Sequence, residues 1–243
     1  MDLTNKVVLV TGGSRGLGKE IALAFGREGC NVVVNYRDSY EEAEEVVRDL
    51  QYGGMRIKCD VSNVNEVRDM FELITDTYDG LDVLVNNAGY TQAIPHHDLE
   101  GLFPALFHKV MDINVCGTYH CIRKAVTSGA MLEGSIVNVS SIAAQTAKGS
   151  NVAYGASKAA IENMTKALGR ALGPNIRVNA VAPGLMETGM TEEWKDYHVR
   201  AKETNPLRRE PSLEDVAKVV VDLTKNDSIT GTIVNVDAGQ SLV

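Results

Sequence analysis

Short apolar runs alternate with longer amphipathic stretches along the whole chain, and this alternation constrains the fold more than any other feature. Seven runs are apolar on consecutive positions, as is typical of strands covered on both faces. They span residues 6–11, 31–35, 56–59, 81–86, 135–139, 177–181 and 232–236. Six stretches carry the helical spacing of apolar residues, over 16–28, 40–51, 64–78, 106–128, 153–172 and 213–223. Alternating strands and helices form right-handed βαβ units. We therefore predict one α/β domain over residues 1–243, with a doubly wound, mostly parallel seven-stranded sheet and helices on both faces.

Composition excludes several classes of partner. The net charge of −8 arises from 24 basic and 32 acidic residues, which argues against nucleic-acid binding because phosphates need clustered Lys and Arg. The four cysteines form no CxxC pair, so we expect neither a disulfide framework nor a metal site. The first residues lack a signal-peptide pattern, and no apolar run reaches the roughly 18 residues of a membrane span. We expect a cytoplasmic protein without a membrane partner.

A glycine-rich loop follows the first predicted strand. Its glycines are spaced Gly12-x-x-x-Gly16-x-Gly18, and a helix begins within it. Glycines allow a pyrophosphate to approach the backbone, and the free N–H groups and dipole of a helix N-terminus favour an anion. The spacing is not G-x-G-x-x-G, and a glycine loop alone also fits a βα turn without a ligand.

This loop resembles that of the short-chain dehydrogenase/reductase family, and further motifs extend the resemblance from Gly12 to Gly239. They are Asn86-Asn87-Ala88-Gly89, Tyr154-x-x-x-Lys158, Pro183-Gly184 with Thr188, and Asp237-Ala238-Gly239, where the family usually has D-G-G. Within the family the general pattern is closest to the 3-oxoacyl-[acyl-carrier-protein] reductases. Two segments suggest that subgroup, Val33-Val34-Asn35-Tyr36 and Ile229-Thr230-Gly231.

The end of the second strand indicates the cofactor. In such folds an acid there binds the ribose of NAD, whereas an Arg accommodates the 2′-phosphate of NADP. By the family register Tyr36 occupies the acid's position, Arg37 follows it, and Arg15 lies in the glycine loop. Two guanidinium groups suit a phosphate, so we predict NADP(H). A shift of register by one or two residues would place Asp38 on the ribose instead.

The resemblance implies a set of cofactor-binding residues from six segments. They are Gly12, Ser14, Arg15, Gly16, Leu17, Gly18, Tyr36, Arg37, Asp60, Val61, Asn87, Ala88, Gly89, Tyr154, Lys158, Pro183, Gly184 and Thr188.

Four residues form the predicted catalytic set. Tyr154 and Lys158 lie at i and i+4 on one helix face, where an ammonium would lower the pKa of the phenol, although such a pair also arises by chance. The resemblance assigns the substrate oxygen to Ser141 and leaves Ser140 as a cofactor-wall residue, with a swap between them open. Asn114 is expected at a helix kink that holds a water, or alternatively as a satisfied core amide.

These motifs predict an NADP(H)-dependent oxidoreductase that interconverts a carbonyl and a secondary alcohol. The substrate is a 3-oxoacyl thioester, with an acyl carrier protein as partner, or alternatively a free sugar, polyol, ketone or secondary metabolite. Segments 130–133 and 173–175 lack the basic residues that a carrier would favour, although basic residues elsewhere could substitute for them: Lys109, Arg123, Lys124 and Arg170. A non-catalytic NADP-binding regulator is disfavoured because the whole catalytic set is present.

Two expectations concern larger features. The substrate wall is predicted from 90–95, 142–151 and 185–209, and the stretch at about 185–210 is expected to form a lid or, alternatively, a packed surface helix pair. That stretch contains Met186, Met190, Trp194 and Tyr197. Apolar residues on more than one face of helices 106–128 and 153–172, together with the family resemblance, predict a homotetramer.

Overall fold

The apolar runs form a seven-stranded sheet in the computed structural model, which describes residues 1–189 and 191–243. Met190, placed in the substrate wall by the sequence, lies outside the described residues. The strands are β1 Val7–Val10, β2 Asn31–Tyr36, β3 Gly54–Lys58, β4 Val83–Asn86, β5 Gly134–Val139, β6 Ile176–Pro183 and β7 Ile233–Val236. Their order is β3-β2-β1-β4-β5-β6-β7, and each neighbouring pair is parallel, which confirms the predicted fold class.

Helices cover both faces of this sheet. They are α1 Gly16–Arg27, α2 Tyr40–Asp49, α3 Val64–Tyr78, α4 Pro104–Met111, α5 Gly117–Thr127, α6 Ala143–Thr146, α7 Val152–Ala171, α8 Lys195–Thr204 and α9 Leu213–Lys225. One apolar cluster packs α1 and α9 onto the first face, with Phe25 and Val220 fully buried. A second packs α3 and α5 onto the other, with Phe71 and Cys121 at its centre.

The stretch predicted as one helix over 106–128 is helical over residues 104–127 but is not one regular α-helix. A π-helical turn, Asp112–Cys116, separates α4 from α5, because the backbone hydrogen bond from Gly117 reaches back five residues to Asp112. The sequence also did not predict α6 or α8 as defined helices. Of the four cysteines, Cys116 is exposed on the π turn and the other three are buried.

The direction of the connections reverses between β1 and β4. In open parallel sheets ligands bind beyond the carboxyl ends of the strands at such a reversal. The glycine loop follows β1, and the Asn87-Ala88-Gly89 segment follows β4, so both lie at this point. No helix among the described residues is long and apolar enough to cross a bilayer.

Candidate active site

The glycine loop needs glycine for steric reasons. Gly12 and Gly16 have φ of 61° and 52°, in the left-handed region that side chains disfavour. A Cβ on Gly18 would come within 2.5 Å of the Asn87 amide nitrogen and would overlap the carbonyl oxygen of Gly12. Residue 18 therefore lies directly against the loop, and α1 begins as close to the loop as backbone atoms allow.

Two side chains that sequence reasoning did not assign a role hold this loop in place. Asn35 on β2 is buried, and its Oδ1 accepts from the Gly12 N–H at 3.1 Å while its Nδ2 donates to the Cys59 carbonyl at 3.0 Å. The Thr11 hydroxyl accepts from the N–H groups of Asn87 at 2.9 Å and Ala88 at 3.0 Å. An amide in an otherwise apolar strand was the available signal for Asn35, because a buried polar group needs a partner.

The side chain of Asn87 is hydrogen-bonded to the backbone of the glycine loop. Its Nδ2 donates to the carbonyl oxygens of Thr11 at 2.9 Å and Gly12 at 3.1 Å. Both amide hydrogens are therefore used to join the end of β4 to the glycine loop.

Two guanidinium groups lie at the surface, that of Arg37 after β2 and that of Arg15 in the loop after β1. Arg37 is ion-paired with Asp38, with Nε 2.7 Å from Oδ2, and this hydrogen bond raises the Arg37 pKa. Arg15 is exposed at the start of α1. Tyr36 is only 8% exposed, and its ring packs edge-on against Tyr40, so its side chain faces the core.

A cavity of about 470 Å³ opens beside Arg37, between the sheet and α4. It is lined by Arg37, Asp60, Ser62, Ala105, His108, Lys109, Asp112 and Ile113. The Asp60 carboxylate accepts from the N–H and hydroxyl of Ser62 at 2.9 and 2.6 Å. Val61 is buried, and its carbonyl oxygen lies 3.2 Å from Nδ1 of His120.

The start of α7 brings Tyr154 and Lys158 together. Asn151 caps the helix, with Oδ1 accepting from the Tyr154 N–H at 2.8 Å. The Lys158 ammonium lies 5.6 Å from the centre of the Tyr154 ring and donates to the Val139 carbonyl, at the end of β5, at 2.8 Å.

Burial dominates the ionisation of this pair. It lowers the pKa of Lys158 to about 8, because a buried ammonium loses its hydration. Burial also raises the pKa of Tyr154, and the hydrogen bond with Ser141 lowers it only in part. In the protein without cofactor, desolvation of the phenol dominates, so the Tyr154 pKa lies above its ordinary value and not below it as predicted.

The two serines after β5 face different groups. Ser140 is buried, and its hydroxyl lies 3.2 Å from both the Lys158 carbonyl oxygen and the Glu162 carboxylate. The Ser141 hydroxyl accepts from the Ala143 N–H at 3.2 Å and interacts with the Tyr154 hydroxyl. Ser141 is therefore the serine beside the tyrosine.

Asn114 lies fully buried in the π-helical turn. Its Oδ1 accepts from the Tyr90 N–H at 2.7 Å, and its Nδ2 donates to the Tyr90 carbonyl at 3.1 Å and to the Ser157 hydroxyl at 3.0 Å. The expected distortion is present, but the side chain is the satisfied amide of the alternative reading and has no N–H left for a water. Gly89 lies between Asn114 and Lys158, since a Cβ there would be 3.5 Å from Oδ1 and 3.7 Å from Nζ.

The segment after β6 lies at the same carboxyl edge of the sheet as the glycine loop. The Pro183 carbonyl accepts from the Ile142 N–H at 3.1 Å, and the Gly184 N–H donates to Val236 at 3.1 Å. A Cβ on Gly16 would lie 3.7 Å from the Thr188 side chain, so Thr188 lies over the glycine loop. Ser14 and Leu17 are buried within that loop. Predicted site residues at the ends of six strands, β1 to β6, therefore lie along one edge of the sheet.

A doubly wound sheet with this glycine loop and a Tyr–Lys pair beside it defines a dinucleotide-binding oxidoreductase. The family model described as Enoyl-(Acyl carrier protein) reductase matches residues 12–241. The chain belongs to the short-chain dehydrogenase/reductase family.

Three relatives show the range of substrates near this sequence. A protein of Streptomyces violaceoruber, assigned as ketoacyl reductase 2 of the granaticin polyketide synthase, is 40% identical over 98% of this chain and 96% of its own. The 3-oxoacyl-[acyl-carrier-protein] reductase of Staphylococcus aureus is 36% identical over 96% and 97%. Glucose 1-dehydrogenase 2 of Bacillus subtilis is 33% identical over 99% and 96%.

A solved structure agrees with the fold throughout. The short-chain dehydrogenase of Burkholderia cenocepacia in complex with NADP is 30% identical, covers 100% of both chains and has a TM-score of 0.91.

Proposed function

We propose that this protein is an NADP(H)-dependent oxidoreductase that reduces the ketone of a 3-oxoacyl thioester to a secondary alcohol. The observation that carries the proposal is the meeting of Ser141, Tyr154 and Lys158 at the strand ends, with Gly89 packed against Lys158. A hydroxyl, a phenol and a buried ammonium in one cleft suit proton transfer to a carbonyl oxygen.

The glycine loop fits a dinucleotide because residues 12, 16 and 18 carry no side chain, which lets a pyrophosphate approach the backbone at the start of α1. The remaining predicted contacts, from Asp60 and Val61 through Asn87–Gly89 to Pro183, Gly184 and Thr188, would hold the rest of the cofactor. Arg15 and Arg37 favour the 2′-phosphate of NADP, as does the NADP complex of the Burkholderia relative.

The bound cofactor supplies a hydride to the carbonyl carbon. Tyr154, which is protonated at neutral pH, donates its proton to the carbonyl oxygen as the hydride reaches the carbon. The Ser141 hydroxyl donates a hydrogen bond to the same oxygen and stabilises the charge that develops there.

Lys158 acts on Tyr154 through its charge and its proton. With a pKa of about 8, it stays mostly protonated at neutral pH and stabilises the phenolate left after transfer. Because that pKa is close to working pH, Lys158 can also return a proton to Tyr154. Asn114 positions this pair by fixing Tyr90 and Ser157 around it.

The Streptomyces and Staphylococcus relatives support a 3-oxoacyl thioester, with an acyl carrier protein as the partner that presents it. The Bacillus relative supports the alternative of a free sugar or other small molecule. We further propose that the chain forms one domain with the 185–210 stretch as its lid, and that the protein is cytoplasmic.

We propose a homotetramer because apolar side chains are exposed on or beside the helices that we expect at its interfaces. Phe103 before α4, Tyr119 on α5 and Val152 on α7 are 52%, 49% and 45% exposed. Gel filtration should give four times the mass of the chain, and a monomer would refute the assembly.

The experiment is oxidation of NADPH or NADH, in parallel, with acetoacetyl thioester as substrate. We expect turnover with NADPH, and a Tyr154→Phe variant should lose about 10²- to 10⁴-fold in kcat because the proton donor is gone. Tyr52→Phe is the matched control, because Tyr52 is 63% exposed and lies outside the proposed site. Its kcat should equal that of the unmodified protein.

Other substrates separate the alternatives. An enoyl thioester tests the C=C reduction in the description of the matching family, and we expect no turnover with it. Turnover of glucose or a polyol without turnover of the thioester would establish the free-substrate alternative. Near-normal activity of Tyr154→Phe would refute the mechanism.

A further inference from the structure

His198 on α8 is a buried imidazole with both ring nitrogens engaged. Nδ1 lies 2.6 Å from Oε1 of Glu210, and Nε2 lies 3.0 Å from the Thr191 carbonyl oxygen. A carbonyl oxygen only accepts, so Nε2 carries a hydrogen, and the 2.6 Å contact requires a second hydrogen between Nδ1 and the Glu210 carboxyl group. His198 and Glu210 therefore share a proton and form a charge-assisted pair.

The surrounding charges make this cluster a hydrogen-bonded network. Lys202 lies with Nζ 2.6 Å from Glu187 and 3.9 Å from the second oxygen of Glu210. Ligand atoms of Glu187, His198 and Glu210 lie within 4.8 Å of one another, a spacing that a metal ion could use. Both imidazole nitrogens are already hydrogen-bonded, however, and the Lys202 ammonium pairs with Glu187, so the geometry favours an internal hydrogen-bonded network over an ion site.

Thr191 connects His198 to Thr188, the residue beside the glycine loop. Its hydroxyl donates to the Met186 carbonyl at 2.6 Å and accepts from the Thr188 N–H at 3.1 Å. Thr188 in turn lies over the glycine loop, with its side chain 3.7 Å from the Cβ position of Gly16. Continuous contacts therefore lead from Glu210 through His198 and Thr191 to Thr188.

We propose that His198 is a positioning residue that holds Thr188 over the glycine loop and thereby increases the affinity for NADP(H). The proposal rests on the function proposed above. If Thr188 is in place in only a fraction of molecules, the apparent cofactor affinity falls by that fraction. The hydrogen bonds of His198 stay within residues 191–210, away from Tyr154 and Lys158, so it governs binding and not the chemical step.

Two substitutions separate the two ring contacts. In His198→Asn the amide nitrogen takes the place of Nδ1 and keeps the link to Glu210. In His198→Gln it takes the place of Nε2 and keeps the link to the Thr191 carbonyl. Both remove the imidazole, so each is a control for the other, and His97→Asn is a control at an exposed histidine.

The measurements are the Kd for NADPH by fluorescence titration, and KM and kcat with acetoacetyl thioester. We expect His198→Asn to weaken NADPH binding about tenfold, the effect of one lost hydrogen bond at the upper end of its usual range. Its kcat at saturating NADPH should stay within about twofold, since only binding is affected. His198→Gln should retain most of the affinity.

Equal affinities for the Asn and Gln variants would overturn the proposal, as would a loss of kcat with an unchanged Kd. If either variant fails to fold, Thr191→Val removes the hydroxyl that holds Met186 and Thr188 but leaves the imidazole. It should weaken NADPH binding similarly, and an unchanged Kd would overturn the proposal. Failure of the unmodified protein to bind NADPH would refute the proposed function itself, whereas normal binding with unaffected variants refutes only the role of His198.

Discussion

Lys158 carries a charge that burial makes costly, and a Lys158→Met variant measures that cost. The side chain is 4% exposed, and its pKa falls from 10.5 in an exposed lysine to about 8 in the folded protein. Between these values the unfolded chain binds more protons than the folded one, so the folded state gains stability as the pH rises. Below the lower value the full cost applies, about 3 kcal/mol from the shift.

The magnitude over an accessible pH range follows from the same two values. The cost is about 3 kcal/mol at pH 7 and about 2 kcal/mol at pH 9, because Lys158 loses its proton in the folded state between them. Methionine carries no charge at either pH. It also leaves the Val139 carbonyl without its donor, but that loss is the same at both pH values and cancels.

The assay is denaturant unfolding of both proteins at the two pH values and at one protein concentration. We expect the unfolding free energy of Lys158→Met minus that of the unmodified protein to fall by about 1 kcal/mol from pH 7 to pH 9. Lys218→Met, at an exposed lysine paired with Asp222, should show no such change. A difference that stays constant for Lys158→Met would refute the argument that burial lowers this pKa.

Three further substitutions test the site. Gly18→Ala should have an unfolding free energy about 1–3 kcal/mol lower than that of Gly155→Ala in denaturant melts. Both residues lie in the first turn of a helix, but only a Cβ at residue 18 would overlap a neighbouring atom. Equal unfolding free energies would contradict the close approach of Gly18 to the loop. Ser141→Ala should lower kcat about 10²- to 10³-fold, since it removes the hydroxyl beside Tyr154, and the reverse ranking with Ser140→Ala in steady-state assays would exchange their roles. Arg37→Leu should weaken NADPH binding about 10- to 100-fold in titrations and NADH binding little, and equal losses for both cofactors would contradict phosphate recognition.

Some helix starts depend only on contacts between residues close in sequence. Asn63 caps α3 and Ser212 caps α9, with side-chain oxygens that accept from N–H groups two or three residues ahead. Such contacts form inside one turn, so the sequence contains all that decides them.

By itself the sequence determined the parallel sheet, because strands buried on both faces and right-handed connections leave few other topologies. It also determined which motifs follow which strands, and therefore that they meet at one edge. Only the tertiary structure decided that Asn35 holds Gly12, that Ser141 rather than Ser140 faces Tyr154, and that α4 and α5 are divided at Asn114. Those outcomes depend on side chains distant in the sequence and on how far water is excluded around them, which a linear pattern does not specify.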